Sequence, residues 1–211
     1  MSLTIRPVYK TDAAACLNLY SKYVVDSAVS FELEAPSTEE FERRIENISR
    51  RFPFLIAEVD GKFAGYAYAS AYRDRLAYQW NVEVSIYVEE DQRKSGVASS
   101  LYKELFAELE RIHICKAYAV IALPNEASVN FHSKMGFEKF ATYSNVGYKL
   151  NQWHDVLWME KIIQTPEVPT TPLYWNWFTL KQINVSALFK HIPCAIYLQG
   201  LNEFIGLIKD R

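Results

Sequence analysis

The sequence predicts an α+β fold, one mixed sheet with helices on its faces, and three observations predict it. Short runs of alternating apolar and polar residues read as strands, as in residues 82–88, where Val82, Val84, Ile86 and Val88 alternate with Glu83, Ser85 and Tyr87. Between such runs the apolar spacing changes to a helical period, most clearly at Leu101, Leu105, Leu109 and Ile112, with Ala98 and Tyr102 beside that stripe. Finally, 211 residues with 50% hydrophobic composition can fill the core of one ordinary domain and leave an appendage.

Taken in order, residues 4–7 form a short first strand, and Thr11 caps a helix that runs to about Val25, with Ala15, Leu19 and Tyr23 one turn apart. A loop over 27–36 comes next. Ser37 and Glu40 stand as a capping box for a second helix that stops before Pro53. Residues 54–59 and 62–72 read as strands joined by Asp60-Gly61, a dipeptide suited to a tight hairpin, and Gly65 marks a bulge. After the strand 82–88 and its succeeding helix, the apolar run 117–123 is a buried strand ended by Pro124. Residues 127–134 form a short helix stopped by Gly136, and strands at 138–143 and 155–161 close the domain. Pro166, Pro169 and Pro172 make 164–172 an extended linker. Residues 173–211 are an extension of unknown role, with Tyr174, Trp175, Trp177 and Phe178 too apolar for open water and short helices at 186–189 and 202–208.

Charge and cysteine usage narrow the function classes. A net charge of −2 and a pI near 6.1 give no general field for nucleic acid or an acidic membrane. Cys16, Cys115 and Cys194 are far apart, lack metal or redox spacing and read as reduced thiols. No apolar leader stands after Met1 and no run reaches the roughly 20 apolar residues of a membrane span, so a cytoplasmic protein is expected.

Against that neutral background, Arg93-Lys94-Ser95-Gly96-Val97-Ala98-Ser99 stands out as a basic turn entering a helix. A helix start presents unpaired N–H groups and a partial positive charge, and a missing side chain at Gly96 lets a phosphate approach the backbone. The competing interpretation is a solvated turn. Further motifs bear on that choice: Asn125-Glu-Ala-Ser128-Val-Asn-Phe131-His132-Ser-Lys134-Met-Gly136-Phe137, then Ala77 to Glu83, Leu123-Pro124-Asn125, Val146-Gly147-Tyr148-Lys149 and Trp153-His154-Asp155.

Over roughly residues 3 to 163 the chain resembles the GNAT superfamily of N-acetyltransferases and, more narrowly, its phosphinothricin N-acetyltransferase subgroup. The resemblance implies a sheet with splayed middle strands and helices on both faces over residues 1–163. It implies acetyl-CoA as co-substrate, with its pyrophosphate on Arg93 to Ser99, its pantetheine along the backbone of Ile86, Tyr87 and Val88, and a contact from Asn125. It also implies a homodimer. Asn125 alternatively caps the helix after Pro124.

The chemistry requires an unprotonated amine. The resemblance makes Glu83 the general base, against a carboxylate on a solvated strand face. His132 stands where the wider superfamily has a tyrosine, and it is the second catalytic candidate, as a proton relay, an acid toward the thiolate or an orienting group. Arg73 and Arg75 suit an acidic substrate because guanidinium grips a carboxylate or phosphinate with two bonds, unless they only decorate a loop around Asp74. Phe31, Tyr78 and Trp80 are candidates for an aromatic wall, against core packing as the commoner use of any one of them. No metal is expected, since nothing has ligand spacing. The function implied is acetylation of the α-amine of a small amino-acid-like molecule of the phosphinothricin, methionine sulfoximine or methionine sulfone kind. The alternatives are acetylation of a protein or peptide amine, and a non-catalytic acyl-CoA-binding module.

Overall fold

Alternating runs and helical stripes assemble as one layered α/β unit. A computed structural model describes residues 2–175. Its strands are β1 (Leu3–Pro7), β2 (Phe54–Val59), β3 (Lys62–Ala71), β4 (Asn81–Val88), β5 (Lys116–Ala122), β6 (Glu138–Lys149) and β7 (Gln152–Ile162), in the order β1-β2-β3-β4-β5-β7-β6. Within that sheet β4 and β5 run parallel, and the other neighbours are antiparallel. On one face α1 (Ala13–Asp26) and α2 (Thr38–Ser49) bury Cys16, Leu19, Phe41 and Ile45 against Phe54, Ile56 and Tyr66. On the other face α3 (Val97–Arg111) buries Leu101, Leu105 and Leu109, and α4 (Glu126–Lys134) packs beside it through Tyr102, His132 and Phe137.

Several local expectations hold with a physical reason. Asp60 and Gly61 both take positive φ, 49° and 75°, as a two-residue hairpin turn requires. At Gly65 the β2–β3 register shifts, and a Cβ there would lie 2.5 Å from the Tyr87 carbonyl oxygen, so only glycine lets β3 press against β4. The helix α2 starts at Ser37, whose Oγ accepts from the Glu40 N–H at 3.2 Å.

Other expectations change. Thr11 is not a cap: a short 3-10 turn over Lys10–Asp12 precedes α1, and the Asp12 carboxylate accepts from the Tyr9 N–H while Arg6 grips both its oxygens. Only half of the capping box forms at α2, because the Glu40 carboxylate turns to Arg43 and Arg44. The last two strands are longer than their alternation suggested. Leu150 and Asn151 adopt φ of 52° and 60° and make a tight turn without glycine, while a register shift between Tyr143 and Gly147 breaks the period.

The expected linker does not stand away from the domain. Gln164 donates through its side chain to the Glu110 and Ile114 carbonyls, Trp80 Nε1 donates to Thr170 O at 2.8 Å, and the Leu173 N–H donates to Ile112 O at 3.1 Å. Trp175 is 7% exposed, and its Nε1 donates at 2.9 Å to the carboxylate of Glu108, a buried group that Arg111 also holds. The helices expected at 186–189 and 202–208, with Trp177, Phe178 and Cys194, lie outside the described residues.

Removing a buried Trp typically costs about 3–5 kcal/mol. Trp175→Ala is therefore expected to lower the denaturant midpoint of the full chain clearly, and Trp175→Phe to lower it less, with the remainder reporting the bond to Glu108. An unchanged midpoint in both variants would contradict the packing of this segment.

Candidate active site

The site begins where sheet pairing stops. The parallel ladder joins Asn81 to Lys116, Val82 to Ala117 and Glu83 to Tyr118, and no further, although β4 continues to Val88 and β5 to Ala122. Along its other edge β4 stays paired with β3 from Val82 to Val88. The two strands therefore diverge into a V, and the β5-facing edge of Ser85, Ile86 and Tyr87 keeps backbone groups without strand partners. A cleft fills the V, lined by those residues, by Ala119 to Ala122, by Asn125, Ser128 and His132, and by Val29 from the α1–α2 loop. An extended ligand bearing amides can pair with such an edge as an added strand would.

A second groove, between the end of α1 and the end of β4, is lined by Lys22 and Arg93 but also by the acidic Asp26, Glu89 and Glu90. Gly96 caps α3 with φ 93°, and its carbonyl accepts the first helical bond from the Ser100 N–H. This leaves the N–H groups of Ala98 and Ser99 as orphan donors of a helix start, while the Val97 N–H donates weakly to Ser95 Oγ at 3.5 Å. A side chain on Gly96 would meet open space, so its positive φ, rather than crowding within the fold, is what requires glycine. Lys94 shares the left-handed conformation with φ 63°, and Ser95 Oγ donates to Gln92 O, which shapes the turn. Arg93 is held by Glu90 in an exposed ion pair, of a kind worth at most about 1 kcal/mol, so it can exchange that partner for a phosphate.

His132 is 4% exposed under the cleft. Its Nδ1 lies 2.8 Å from the Ser128 carbonyl oxygen, which can only accept, so Nδ1 carries the proton. Burial pushes the ring's pKa down and favours the neutral form, and Nε2 then accepts from the Tyr102 hydroxyl at 2.9 Å. Tyr102, also on the cleft wall, is a partner that sequence reasoning missed. Its one signal is a hydroxyl on an otherwise apolar helix face. Asn125 caps α4, its Oδ1 accepting from the Ser128 N–H at 3.1 Å, and it lines the cleft as well.

Glu83 sits at the apex of the V, half-buried, and burial raises its carboxyl pKa while Arg73 opposes the rise. Its pairing partner Tyr118 stacks on Tyr72 at 4.6 Å, and Tyr72 meets Tyr78 edge-on at 5.8 Å and lies beneath the Arg73 guanidinium at 4.8 Å. Trp158 stands edge-on to both Tyr72 and Tyr118. Thus Glu83, Arg73 and Tyr78 come together on an aromatic floor whose other members, Tyr72, Tyr118 and Trp158, come from three strands or their ends and escape local pattern reading.

Other expected neighbours do not meet. Glu83 and His132 share no hydrogen bond and stand on opposite faces of the sheet, the first with Tyr118 and the second with Tyr102. Arg75 is exposed, and among the described residues no hydrogen bond or ion pair holds its side chain. Phe31 lies apart from Tyr78, with its ring over Gly147 and 6.1 Å from that of His154. Trp80 leaves the proposed wall because its indole binds Thr170. No group of His, Cys, Asp and Glu among the described residues could hold a metal ion.

Comparison with known proteins identifies the fold that carries this cleft. The acetyltransferase (GNAT) domain model matches residues 5–158. A phosphinothricin N-acetyltransferase of Streptomyces viridochromogenes is 36% identical over 165 residues, covering 78% of this chain and 90% of the relative. An L-methionine sulfoximine/L-methionine sulfone acetyltransferase of Salmonella typhimurium is 28% identical over 75% of this chain and 93% of its own length. Among solved structures, a phosphinothricin acetyltransferase from Sinorhizobium meliloti in complex with AcCoA superposes with a TM-score of 0.77 at 30% identity, covering 81% of this chain and 94% of that one. The chain belongs to the GNAT acetyltransferase family and is an N-acetyltransferase that takes acetyl-CoA as its acyl donor.

Proposed function

We propose that this enzyme acetylates the α-amine of a small amino-acid-like substrate of the phosphinothricin, methionine sulfoximine or methionine sulfone kind. The observation that carries the reading is Glu83: a half-buried carboxylate at the apex of the cleft, with Arg73 beside it. Relatives bearing those substrate names support it. The edge of Ser85 to Val88 and the N–H groups at the start of α3, those of Ala98 and Ser99 without a partner and that of Val97 only weakly held by Ser95, fit pantetheine and pyrophosphate, with Arg93, Lys94 and Asn125 as side-chain contacts.

Acetyl-CoA supplies the thioester. Glu83 accepts a proton from the substrate ammonium, directly or through one water, and so frees a lone pair for attack. Backbone N–H on the unpaired β4 edge just beyond Glu83 stabilises the carbonyl oxygen as negative charge develops on it. As the C–N bond forms and the C–S bond breaks, the second proton lost by the attacking nitrogen passes to the departing thiolate, and His132 on the cleft wall, held by the Tyr102 hydroxyl, orients that transfer. Transfer is direct, without an acyl-enzyme. Arg73 and Arg75 grip the anionic or tetrahedral polar group, with Tyr78 and Phe31 on the sides of the acceptor region.

The same reading places the enzyme in the cytoplasm as a homodimer. Cys16 and Cys115 are free thiols, and among the described residues no helix is long and apolar enough to cross a membrane. Tyr148 and Trp153, 56% and 59% exposed, pair on the outer side of the β6–β7 hairpin near Val146 and Leu150, an apolar surface suited to a second copy. Light scattering at micromolar concentration is expected to give twice the mass of the chain, and a monomer would contradict the dimer.

Glu83→Gln keeps shape and hydrogen bonding but cannot take a proton. Its kcat is expected to fall by about a hundredfold to ten-thousandfold with acetyl-CoA binding intact. The wild-type rate rises with pH through a carboxyl pKa above the usual range. A raised carboxyl pKa stabilises the fold only below that pKa, so the Gln variant should be at least as stable as wild type at neutral pH. A variant with wild-type kcat and pH profile would refute the assignment.

Changing Arg73 and Arg75 together to Ala is expected to raise KM for an anionic substrate far more than it lowers kcat. Unchanged selectivity between anionic amino acids and neutral alkylamines would assign the loop to the surface.

A further inference from the structure

The motif residues Gly147, Lys149 and His154 take no part in the chemistry above, yet they converge on one place. Lys149, near the tip of the β6–β7 hairpin, is 5% exposed. Its ammonium donates at 2.6 Å to Val24 O, near the end of α1, and at 2.6 Å to Ser30 O in the α1–α2 loop. Both acceptors need such a donor, since a terminal helix carbonyl and a loop carbonyl have no partner within their own segments. The loop is held again by the bond between the Tyr20 hydroxyl and Ser30 Oγ at 2.7 Å.

The neighbouring contacts make this a clasp rather than a single bond. Phe31, one residue after Ser30, lays its ring on Gly147, where a Cβ would lie 2.3 Å from the ring. His154, paired with Gly147, places Nε2 at 3.1 Å from Lys149 O and Nδ1 at 3.3 Å from Leu123 O, just beyond the end of β5. The Leu123 N–H donates to Asp155 O. A continuous path of contacts thus runs from β5 through the hairpin to the loop that carries Val29, and Val29 lines the cleft beside β4. The path spans the open end of the V.

We propose that Lys149 is a positioning residue: it fastens the α1–α2 loop to the β6–β7 hairpin, so that Val29 and Phe31 stand as a fixed wall across the open end of the cleft and set where the acceptor amine can sit. This assignment rests on the acceptor site proposed above. Lys149 touches no reacting atom. Its effect falls more on the amine than on acetyl-CoA, because the phosphate-binding turn and the β4 edge are built from other segments, and this loop adds only Ser27 to the groove and Val29 to the cleft.

Two variants break the clasp independently. Lys149→Met keeps the length and removes the donor, leaving two buried carbonyls unpaired, and Gly147→Ala pushes Phe31 off its seat while keeping Lys149. Both are assayed with L-methionine sulfoximine and acetyl-CoA, and amide exchange over residues 27–36 is measured in the same proteins. Faster exchange in that loop is expected, with kcat/KM for the amine lowered by up to about a hundredfold, as misplacement of order 1 Å produces. The loss should fall mainly on the amine's KM, with the KM for acetyl-CoA little changed. If Lys149→Met does not fold, Gly147→Ala decides the matter alone. Unchanged loop exchange, or faster exchange with a wild-type amine KM, would overturn the proposal. A wild-type chain that releases no CoA with any amine would overturn the proposed function instead, and loop exchange would still decide whether the clasp exists.

Discussion

The rest of the structure depends on the point at which β4 and β5 stop pairing. A parallel ladder broken at Glu83 and Tyr118 leaves polar backbone open inside a sheet, which a fold tolerates only where a ligand or solvent can satisfy it. The strands are held apart from either side. Gly65 lets β4 lie close on β3 along its length, and the aromatic packing of Tyr102, Phe131 and Phe137 around His132 keeps α4 as a wedge on the β5 side. The cleft is therefore largely a product of the core, and of the loops only the one between α1 and α2 adds to its lining, through Val29.

Burial acts in the same sense on both candidate proton carriers. It pushes the Glu83 carboxyl up and the His132 ring down, so each is drawn toward its neutral form near the pH at which an enzyme works. The fold gains nothing from an ionised carboxylate in partial shelter, which is the expected mark of a group retained for chemistry rather than stability. The two groups stand on opposite faces of one strand pair. In the proposed reading the proton leaves the amine on the Glu83 face, and His132 stands apart from it with no hydrogen bond joining the two.

Much of the fold and part of the site are legible locally. The alternation of 82–88, the turn at Asp60-Gly61, the Ser37 cap and the basic turn before α3 depend on residues within a few positions of each other, and each is found where the sequence indicates. The failures share a different character. Leu150 and Asn151 form a tight turn without glycine because strands on both sides force the conformation, which propensity does not reveal. Tyr102 meets His132 across 30 positions, and Tyr72, Tyr118 and Trp158 meet across three strands or their ends, so no spacing rule brings them together. Phe31 and Trp80 read either as an aromatic wall or as packing residues, and the long-range partners that seat them, Gly147 and Thr170, are not visible in local sequence.

The segment beyond β7 bears on the site through the closed end of the V. There Trp80 O accepts from the Cys115 and Lys116 N–H groups, Cys115 O accepts from Ile163 and Gln164, and the indole of Trp80 reaches Thr170. Two diverging strands joined at one end act as a pair of levers, and a small rotation at the pivot becomes a larger displacement at the tips. Residues 163–175 brace that pivot from outside the span matched by the family model. Every residue named in the chemistry precedes this brace in the chain, while the angle at which the levers stand is fixed partly by the brace itself.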